Sequence, residues 1–359
     1  MRSIRREELN RFLIIRMDHV GDVLLTTPVL KALRFAFPKS YLAVLVRSSS
    51  RPMMINNPYV DHLFVYTPEW WSRPGERPFT RKETERVFGL LRRARFDLAF
   101  DFRGEARTVI LTVWAGAKYR VGFDYEGTGG LDIALSHGHY VVRQGRHQVE
   151  INLDVVRAIG VDLNVRDRAP ELFLSSKERS FAQSFLRGLG REPRGPVVGL
   201  HPGAGHPSKV WTVEGYAEVG NWLTRTKNAT VIITGEAFEA RLVRAIAERI
   251  SPPPVVAVGR TNLRQLAALI EGYDLLVAPD CGPAHIAAAL KTPLVAIFGG
   301  VNEIERWRPY GEGHIIIHHD LECAPCFNYN CRRGYRCLRE ITPAEVMAAA
   351  EAQLGRRGF

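Results

Sequence analysis

The sequence has no hydrophobic run near the roughly 18 residues that a membrane span requires. Its opening, Met1 to Asn10, is polar and basic and lacks the apolar core of a secretory leader. These absences predict a cytoplasmic chain, or one held to a membrane only at its surface. Cysteine is sparse: five residues, four of them between Cys323 and Cys337. A secreted disulfide scaffold would spread its cysteines, so a reducing compartment is expected. Lysine is also scarce, with only eight among 49 basic residues, so the net charge of +11 is carried by arginine. Guanidinium forks grip phosphates and carboxylates bidentately, which suits an anionic partner; a coding bias toward Arg accounts for part of the excess. What remains is ordinary globular composition, 46% hydrophobic and 24% charged over 359 residues. That excludes a disordered or fibrous chain and fits about two domains.

Apolar runs rich in strand formers alternate with stretches of helical spacing. Phe12–Arg16 is the first, then Tyr41–Val46, Leu63–Tyr66, Phe96–Phe102 and Tyr119–Gly122, with a helix over Glu105–Trp114. The rhythm begins again with strands at Pro196–Leu200, Thr230–Thr234, Pro254–Val258, Asp274–Ala278 and Pro293–Phe298. Helices are predicted over Val213–Arg225, 237–250, 262–271, 282–290 and Pro343–Leu354. This alternation predicts an α/β chain of two doubly wound, Rossmann-like domains facing across a cleft, with ligands at the strands' carboxyl ends. Gly188–Pro196 is the linker candidate, which sets the domains at 1–188 and 189–359. One segment breaks the rhythm: Pro68–Lys82 joins Trp70 and Trp71 to basic residues and three prolines. It suits a membrane interface, or a loop with its indoles tucked beneath it.

Three strand-to-helix loops are the places for chemistry. Arg16–Asp22 lacks G-x-G-x-x-G, so it is no dinucleotide fingerprint, yet it sets Asp18, His19 and Asp22 at the mouth of the first strand. An acid there is either a helix cap or a functional carboxylate. His201–Trp211 misses the P-loop pattern because no glycine immediately precedes Lys209. A loop carrying Gly203 and Gly205 and ending in Ser208-Lys209 at a helix start can still hold diphosphate through N–H groups, a hydroxyl and an ammonium. In Ala278–His285, Asp280 is the expected N-cap and Gly282 and Pro283 the first turn, whose N–H groups favour an anion. His285, one turn in, is either part of that site or a satisfied core side chain.

In order and spacing these motifs resemble the lipopolysaccharide heptosyltransferases, glycosyltransferase family 9. The opening IIRMDHVGDVLLTTPVL is similar to the family's strand, loop ending in Gly-Asp-Val and Thr-x-Pro. Asp101–Gly104, Arg120–Phe123, and His147 with Glu150 are similar to its mid-domain motifs. Residues 203–211, 280–285 and 306–311 are similar to its Lys-x-Trp, Asp-x-Gly-Pro-x-His and Arg-Trp-x-Pro-Tyr-Gly elements, so the likeness spans about 12–350. The resemblance implies a GT-B fold that moves heptose from ADP-heptose, with inversion at C1, onto an anionic, lipid-linked lipopolysaccharide core at the inner face of the cytoplasmic membrane. It implies that Asp22 is the base and that Lys209 and the amides of Gly282–His285 receive the departing ADP. Ser208 adds a hydrogen bond, Asp280 belongs to the donor site, and Glu239 resembles the acid that holds the ribose. Arg47, Arg51, Arg103, Arg107 and Arg120 are candidates for acceptor phosphates and carboxylates. No Asp-x-Asp motif for a metal–diphosphate is present, in agreement with catalysis that needs no cofactor. After Phe298 the chain reads GGVNEIE where the family more often has Gly-Pro-Thr, so another nucleotide-sugar or acceptor stays open.

Cys323, Cys326, Cys331 and Cys337 are close enough in sequence to close on one tetrahedral Zn or Fe ion as a structural knob; loose thiols are the alternative. Two other function classes compete. A nucleic-acid binder is permitted by the charge alone, but the cations are scattered and no binding module is present. A GT-B epimerase would need a second acid/base pair at the sugar C2.

Overall fold

The continuous apolar runs are strands buried on both faces. The computed structural model of the chain describes residues 4–72, 76–124, 135, 139–141, 145–164, 167–189 and 195–359. It divides into two compact units, Met1–Phe173 and Leu174–Phe359. The first unit runs β1 (Arg11–Ile15), α1 (Val20–Leu24), α2 (Thr27–Ala36), β2 (Tyr41–Val46), β3 (His62–Val65), α3 (Arg81–Arg93), β4 (Leu98–Asp101), α4 (Ala106–Trp114), β5 (Tyr119–Asp124), β6 (His139–Val141) and α5 (Gln148–Arg157). Its sheet has the order β3-β2-β1-β4-β5-β6, with every neighbouring pair parallel.

The second unit repeats the plan. It begins with α6 (Ser176–Arg187), β7 (Val197–Leu200), α7 (Val213–Thr226), β8 (Thr230–Ile233), α8 (Ala240–Ala247), β9 (Val255–Val256) and α9 (Leu263–Glu271). It continues with β10 (Leu275–Pro279), α10 (Gly282–Ala289), β11 (Leu294–Ile297), α11 (Ile304–Trp307), β12 (Ile315–Ile317), α12 (Arg336–Arg339) and α13 (Pro343–Gly355). Its all-parallel sheet has the order β12-β11-β10-β7-β8-β9. Each sheet thus reverses its winding beside its first strand, between β1 and β4 and between β7 and β10. Loops leaving the carboxyl ends at such reversals form the crevice that takes ligands in doubly wound sheets. All three motif loops leave from there.

The boundary differs from the expected 188/189: the units part at 173/174, before α6 rather than after it. The cause is electrostatic as well as apolar. Glu178 on α6 takes a two-pronged hydrogen bond from Arg264 on α9 (2.7 and 2.8 Å), which holds its carboxyl down at about 2. Arg179 grips Glu271 in the same way, at 2.7 and 2.8 Å. The final helix α13, which the sequence left free to join either half, packs on α7 and β11. Its Gln353 donates to the Leu294 carbonyl at 3.1 Å. Among the described residues, no helix is long and apolar enough to cross a membrane.

Candidate active site

The first constellation grows out of β1, whose Phe12–Ile15 are wholly buried and deliver Arg16 to the carboxyl edge. Arg16 is itself buried, so its guanidinium must be paired. Its Nη2 lies 3.1 Å from Asp22 Oδ1 and its Nε 3.1 Å from Asp18 Oδ2. The Asp18 contact is an ion pair without hydrogen-bond alignment. Asp18 is also gripped by Arg103, so two cations bracket it. Asp22 sits in the first turn of α1, and its side chain keeps 16% of its surface open against 5% for Asp18. Its Oδ2 makes no hydrogen bond or ion pair among the described residues. Of the two acids, Asp22 is therefore the one with an oxygen left for a ligand.

The short helix is fixed from behind. The Thr26 hydroxyl donates to the Asp22 carbonyl at 2.9 Å, and Asn152 on α5 donates to the Leu25 carbonyl at 2.9 Å. Opposite, β4 ends in the fully buried Asp101, which accepts from the Arg103 and Gly104 amides (3.1 Å each) and the Thr108 hydroxyl (3.0 Å). Burial nonetheless pushes its carboxyl up to about 6. The tight turn it organises passes through Gly104 at φ 75°, a left-handed conformation that favours glycine. This turn aims Arg103 at Asp18.

Trp71 completes the cluster. The Arg103 guanidinium stacks over its ring, 4.0 Å from the centroid, and that of Arg47 lies 5.6 Å away. Arg47, buried at the end of β2, pairs with Glu76. Arg47 and Arg103 are thus brought into one network with Asp18, Arg16 and Asp22. Arg51 lies exposed on a separate turn, Arg51–Met53. On β5, Arg120 pairs in register with Ala99 of β4, and its guanidinium turns back to the Ala117 carbonyl at 2.9 Å, toward the amino end of the strand. The sequence missed Arg16, Trp71 and Glu76. Arg16 was detectable as a cation that must be buried, directly following four apolar residues.

In the second unit, β7 hands on to His201, buried and hydrogen-bonded to the Thr234 hydroxyl at 2.9 Å; burial drives its imidazole down to about 4. Gly203 follows because nothing larger fits. A Cβ there would come closer than 3 Å to the Glu239 carboxylate, and one at Gly235 would lie 3.1 Å from Glu239 Oε2. Glu239 is buried between these two backbones, which raises its carboxyl, and it is held by the Glu236 amide at 2.7 Å. Gly205 is exposed with open space around it.

Beyond it, His206 accepts from the Ser208 amide (3.2 Å) and bonds the Ser208 hydroxyl (3.0 Å). Ser208 is buried, and Lys209 closes the single turn Pro207–Lys209. The loop therefore does not end at the start of the long helix, as its pattern predicts. That helix, α7, begins at Val213 with Thr212 as its own cap. Trp211 is core, donating to the Ile341 carbonyl at 3.1 Å.

Asp280 is not the N-cap of α10; Cys281 occupies that position without a side-chain bond to the helix. The physical reason is a stronger partner: Asp280 Oδ2 lies 2.7 Å from Lys209 Nζ and accepts from Asn302 Nδ2 at 2.9 Å. The pair ties the Gly-rich loop to the α10 entrance, where Gly282 and Pro283 form the first turn and His285 is buried one turn in. Lysine carries three donors, so an oxyanion can share its ammonium with Asp280.

Cys323, Cys326, Cys331 and Cys337 line one cavity of about 310 Å³, and all five cysteines are free thiols. Among the described residues, no three His, Cys, Asp or Glu side chains are set to hold a metal ion, so the four thiols as placed do not form the tetrahedral Zn or Fe site that is one of the two readings of their spacing. The Trp pair splits between its two readings: Trp71 is drawn into the arginine cluster and Trp70 is 43% exposed.

Comparison with known proteins adds identity to this geometry. The chain is 28% identical over 303 residues to lipopolysaccharide heptosyltransferase 3 of Escherichia coli, covering 82% of this chain and 85% of the relative. It is 26% identical to the lipopolysaccharide core heptosyltransferase OpsX of Haemophilus influenzae, over 83% of this chain and 81% of that protein. In fold it matches the family 9 glycosyltransferase of Veillonella parvula with a TM-score of 0.82 at 24% identity, covering 97% and 99% of the two chains. ADP-heptose lps heptosyltransferase II of E. coli matches with a TM-score of 0.75 at 23% identity, covering 97% and 100%. The architecture is accordingly that of the GT-B heptosyltransferases. The profile of glycosyltransferase family 9 (heptosyltransferase) matches residues 85–335, and the chain belongs to that family of glycosyltransferases.

Proposed function

We propose that the chain moves heptose from ADP-heptose, with inversion at the sugar C1, onto a hydroxyl of an anionic, lipid-linked lipopolysaccharide inner core at the inner face of the cytoplasmic membrane. The observation that carries this reading is the state of Asp22: a carboxylate pinned through one oxygen by Arg16, with the other left without a partner. Such a group can accept a proton in a fixed direction. Support for the donor comes from E. coli WaaC, solved with ADP and with ADP-2-deoxy-2-fluoro heptose.

In the proposed reaction Asp22 Oδ2 takes the acceptor hydroxyl proton as that oxygen bonds to C1. The bond from C1 to the β-phosphate oxygen breaks on the opposite face, and ADP leaves with its electron pair. Lys209 and the open amides at the start of α10 meet the developing charge, as preorganised donors do. Ser208 and the Gly203–Gly205 backbone border the diphosphate, and Asp280 keeps Lys209 in place. Glu239, an acceptor in a confined apolar setting, suits a pair of ribose hydroxyls. Arg47 and Arg103 meet the acceptor's phosphates or carboxylates by exchanging Glu76 and Glu105 for them. The test mixes protein, ADP-heptose and a truncated core lipid and follows ADP release. Release that requires the lipid supports the reading. Hydrolysis or epimerisation without lipid would point to the epimerase class, and no turnover with any acceptor would sink the reading.

A further inference from the structure

Asn302 ties down Asp280, and that task uses only half of its amide. It closes the loop that leaves β11, residues 298–302, and this loop is confined on two sides. A Cβ at Gly299 would press on Leu338 at 3.0 Å and on the Ser208 carbonyl at 3.3 Å. A Cβ at Gly300 would come within 2.8 Å of the Ala324 side chain. The cysteine-rich segment also holds the loop's backbone. The Cys326 amide donates to the Gly300 carbonyl at 2.9 Å, and the Phe327 amide to the Val301 carbonyl at 3.1 Å. Val301 stands where the family more often has threonine; it is buried and brings no hydroxyl. The first polar side chain of the loop is therefore Asn302, half-buried on a braced backbone.

Its orientation follows from its partner. A carboxylate only accepts, so Asn302 turns Nδ2 to Asp280 Oδ2 at 2.9 Å, the same oxygen that lies 2.7 Å from Lys209 Nζ. Two acceptors are left over: neither Asn302 Oδ1 nor Asp280 Oδ1 makes a hydrogen bond among the described residues. Both belong to side chains joined at one oxygen, beside the ammonium assigned to the diphosphate. In a nucleotide-sugar the transferred sugar hangs from that diphosphate by C1, so its hydroxyls are the donors nearest to these oxygens. We propose that Asn302 is a specificity-determining residue of the donor site, its Oδ1 and Asp280 Oδ1 together accepting from two hydroxyls of the transferred sugar. The braced loop fixes one acceptor and the Lys209 pair the other before any sugar arrives. A sugar that lacks a hydroxyl, or presents it elsewhere, leaves an acceptor without its bond, which is how a polar site rejects near relatives. This role rests on the nucleotide-sugar reading of the site.

The experiment is calorimetric titration of ADP and of ADP-heptose into the full-length parent and into Asn302→Ala. The variant should bind ADP-heptose about tenfold more weakly and ADP within about twofold of the parent, since ADP carries no sugar for Asn302 to meet. Retained ADP binding also reports that the second unit is folded. If Asn302→Ala does not fold, Asn302→Ser, which keeps a polar group on the loop but cannot reach as far, carries the same comparison. An equal loss for both ligands would reduce Asn302 to a brace for Lys209 and overturn its role in reading the sugar. ADP-heptose binding at the parent level would overturn it as well. A parent that prefers another ADP-sugar to ADP-heptose, with that preference lost in Asn302→Ala, would take heptose out of the proposed reaction and leave Asn302 as the reader of the sugar.

Discussion

Gly203→Ala isolates the fit between the donor loop and Glu239. The backbone at Gly203 is not in the left-handed region, so alanine meets no conformational strain there. The added methyl meets the Glu239 carboxylate at under 3 Å, and that carboxylate cannot swing away cheaply because the Glu236 amide holds it in a buried niche. Overpacking of this kind costs about 1–3 kcal/mol. In a Glu239→Ala background the obstacle is gone, and the same change should become neutral or stabilise by about 0.4–1 kcal/mol through the reduced freedom of the unfolded chain. The two backgrounds should therefore differ by about 1.5 kcal/mol or more, a coupling well above the additivity error. Calorimetry of the four proteins reads it as a shift of about 2–4 °C per kcal/mol in the transition of the second unit. If Gly203→Ala costs the same with and without Glu239, the carboxylate is not what reserves this position for glycine, and the derived donor niche is misplaced.

Three further outcomes follow from the same contacts. Lys209→Ala should raise the ADP-heptose KM and lower kcat in initial-rate assays, since it removes the ammonium and leaves Asp280 held by Asn302 alone. Arg16→Ala strands the buried Asp18 with Arg103 only, at a cost of about 3 kcal/mol in thermal unfolding. Arg16→Lys should recover much of that stability but not turnover, because one ammonium cannot hold Asp18 and Asp22 in a fork. His201 is neutral in the fold down to about pH 4. The stability it contributes is complete above its unfolded pKa near 6.5 and is lost as pH falls through about 4, about 3 kcal/mol in all. His201→Gln should flatten that acid limb in pH-dependent unfolding.

The sheets were readable because strands buried on both faces leave continuous apolar runs: YLAVLV gives β2 with both ends correct. Charged, amphipathic helices were not. SKERSFAQSFLR sits beside a Gly/Pro stretch that looks like a linker, and its packing on α9, with the ion pairs of Glu178 and Arg179, assigns α6 to the second unit. Local rules also named Asp280 the cap of α10. They fail there because Lys209, far away in sequence, claims the carboxylate first. The loops that hold Asp22 and Lys209 were legible from glycine and charge at strand ends, and Glu239 only through the resemblance to the family. What the sequence hid were Trp71 and Asn302, whose roles depend on contacts distant in sequence, whereas Arg16 reaches its two carboxylates from within the same loop.

The most direct test of the account is Asp22→Asn, assayed in parallel for heptosyl transfer and for ADP-heptose binding by calorimetric titration. Removing the open carboxylate oxygen should cut kcat by about 10²- to 10⁴-fold, with the donor Kd unchanged within about twofold. Transfer at the parent rate, or a donor affinity that falls along with turnover, would contradict the assignment of proton removal to this side chain.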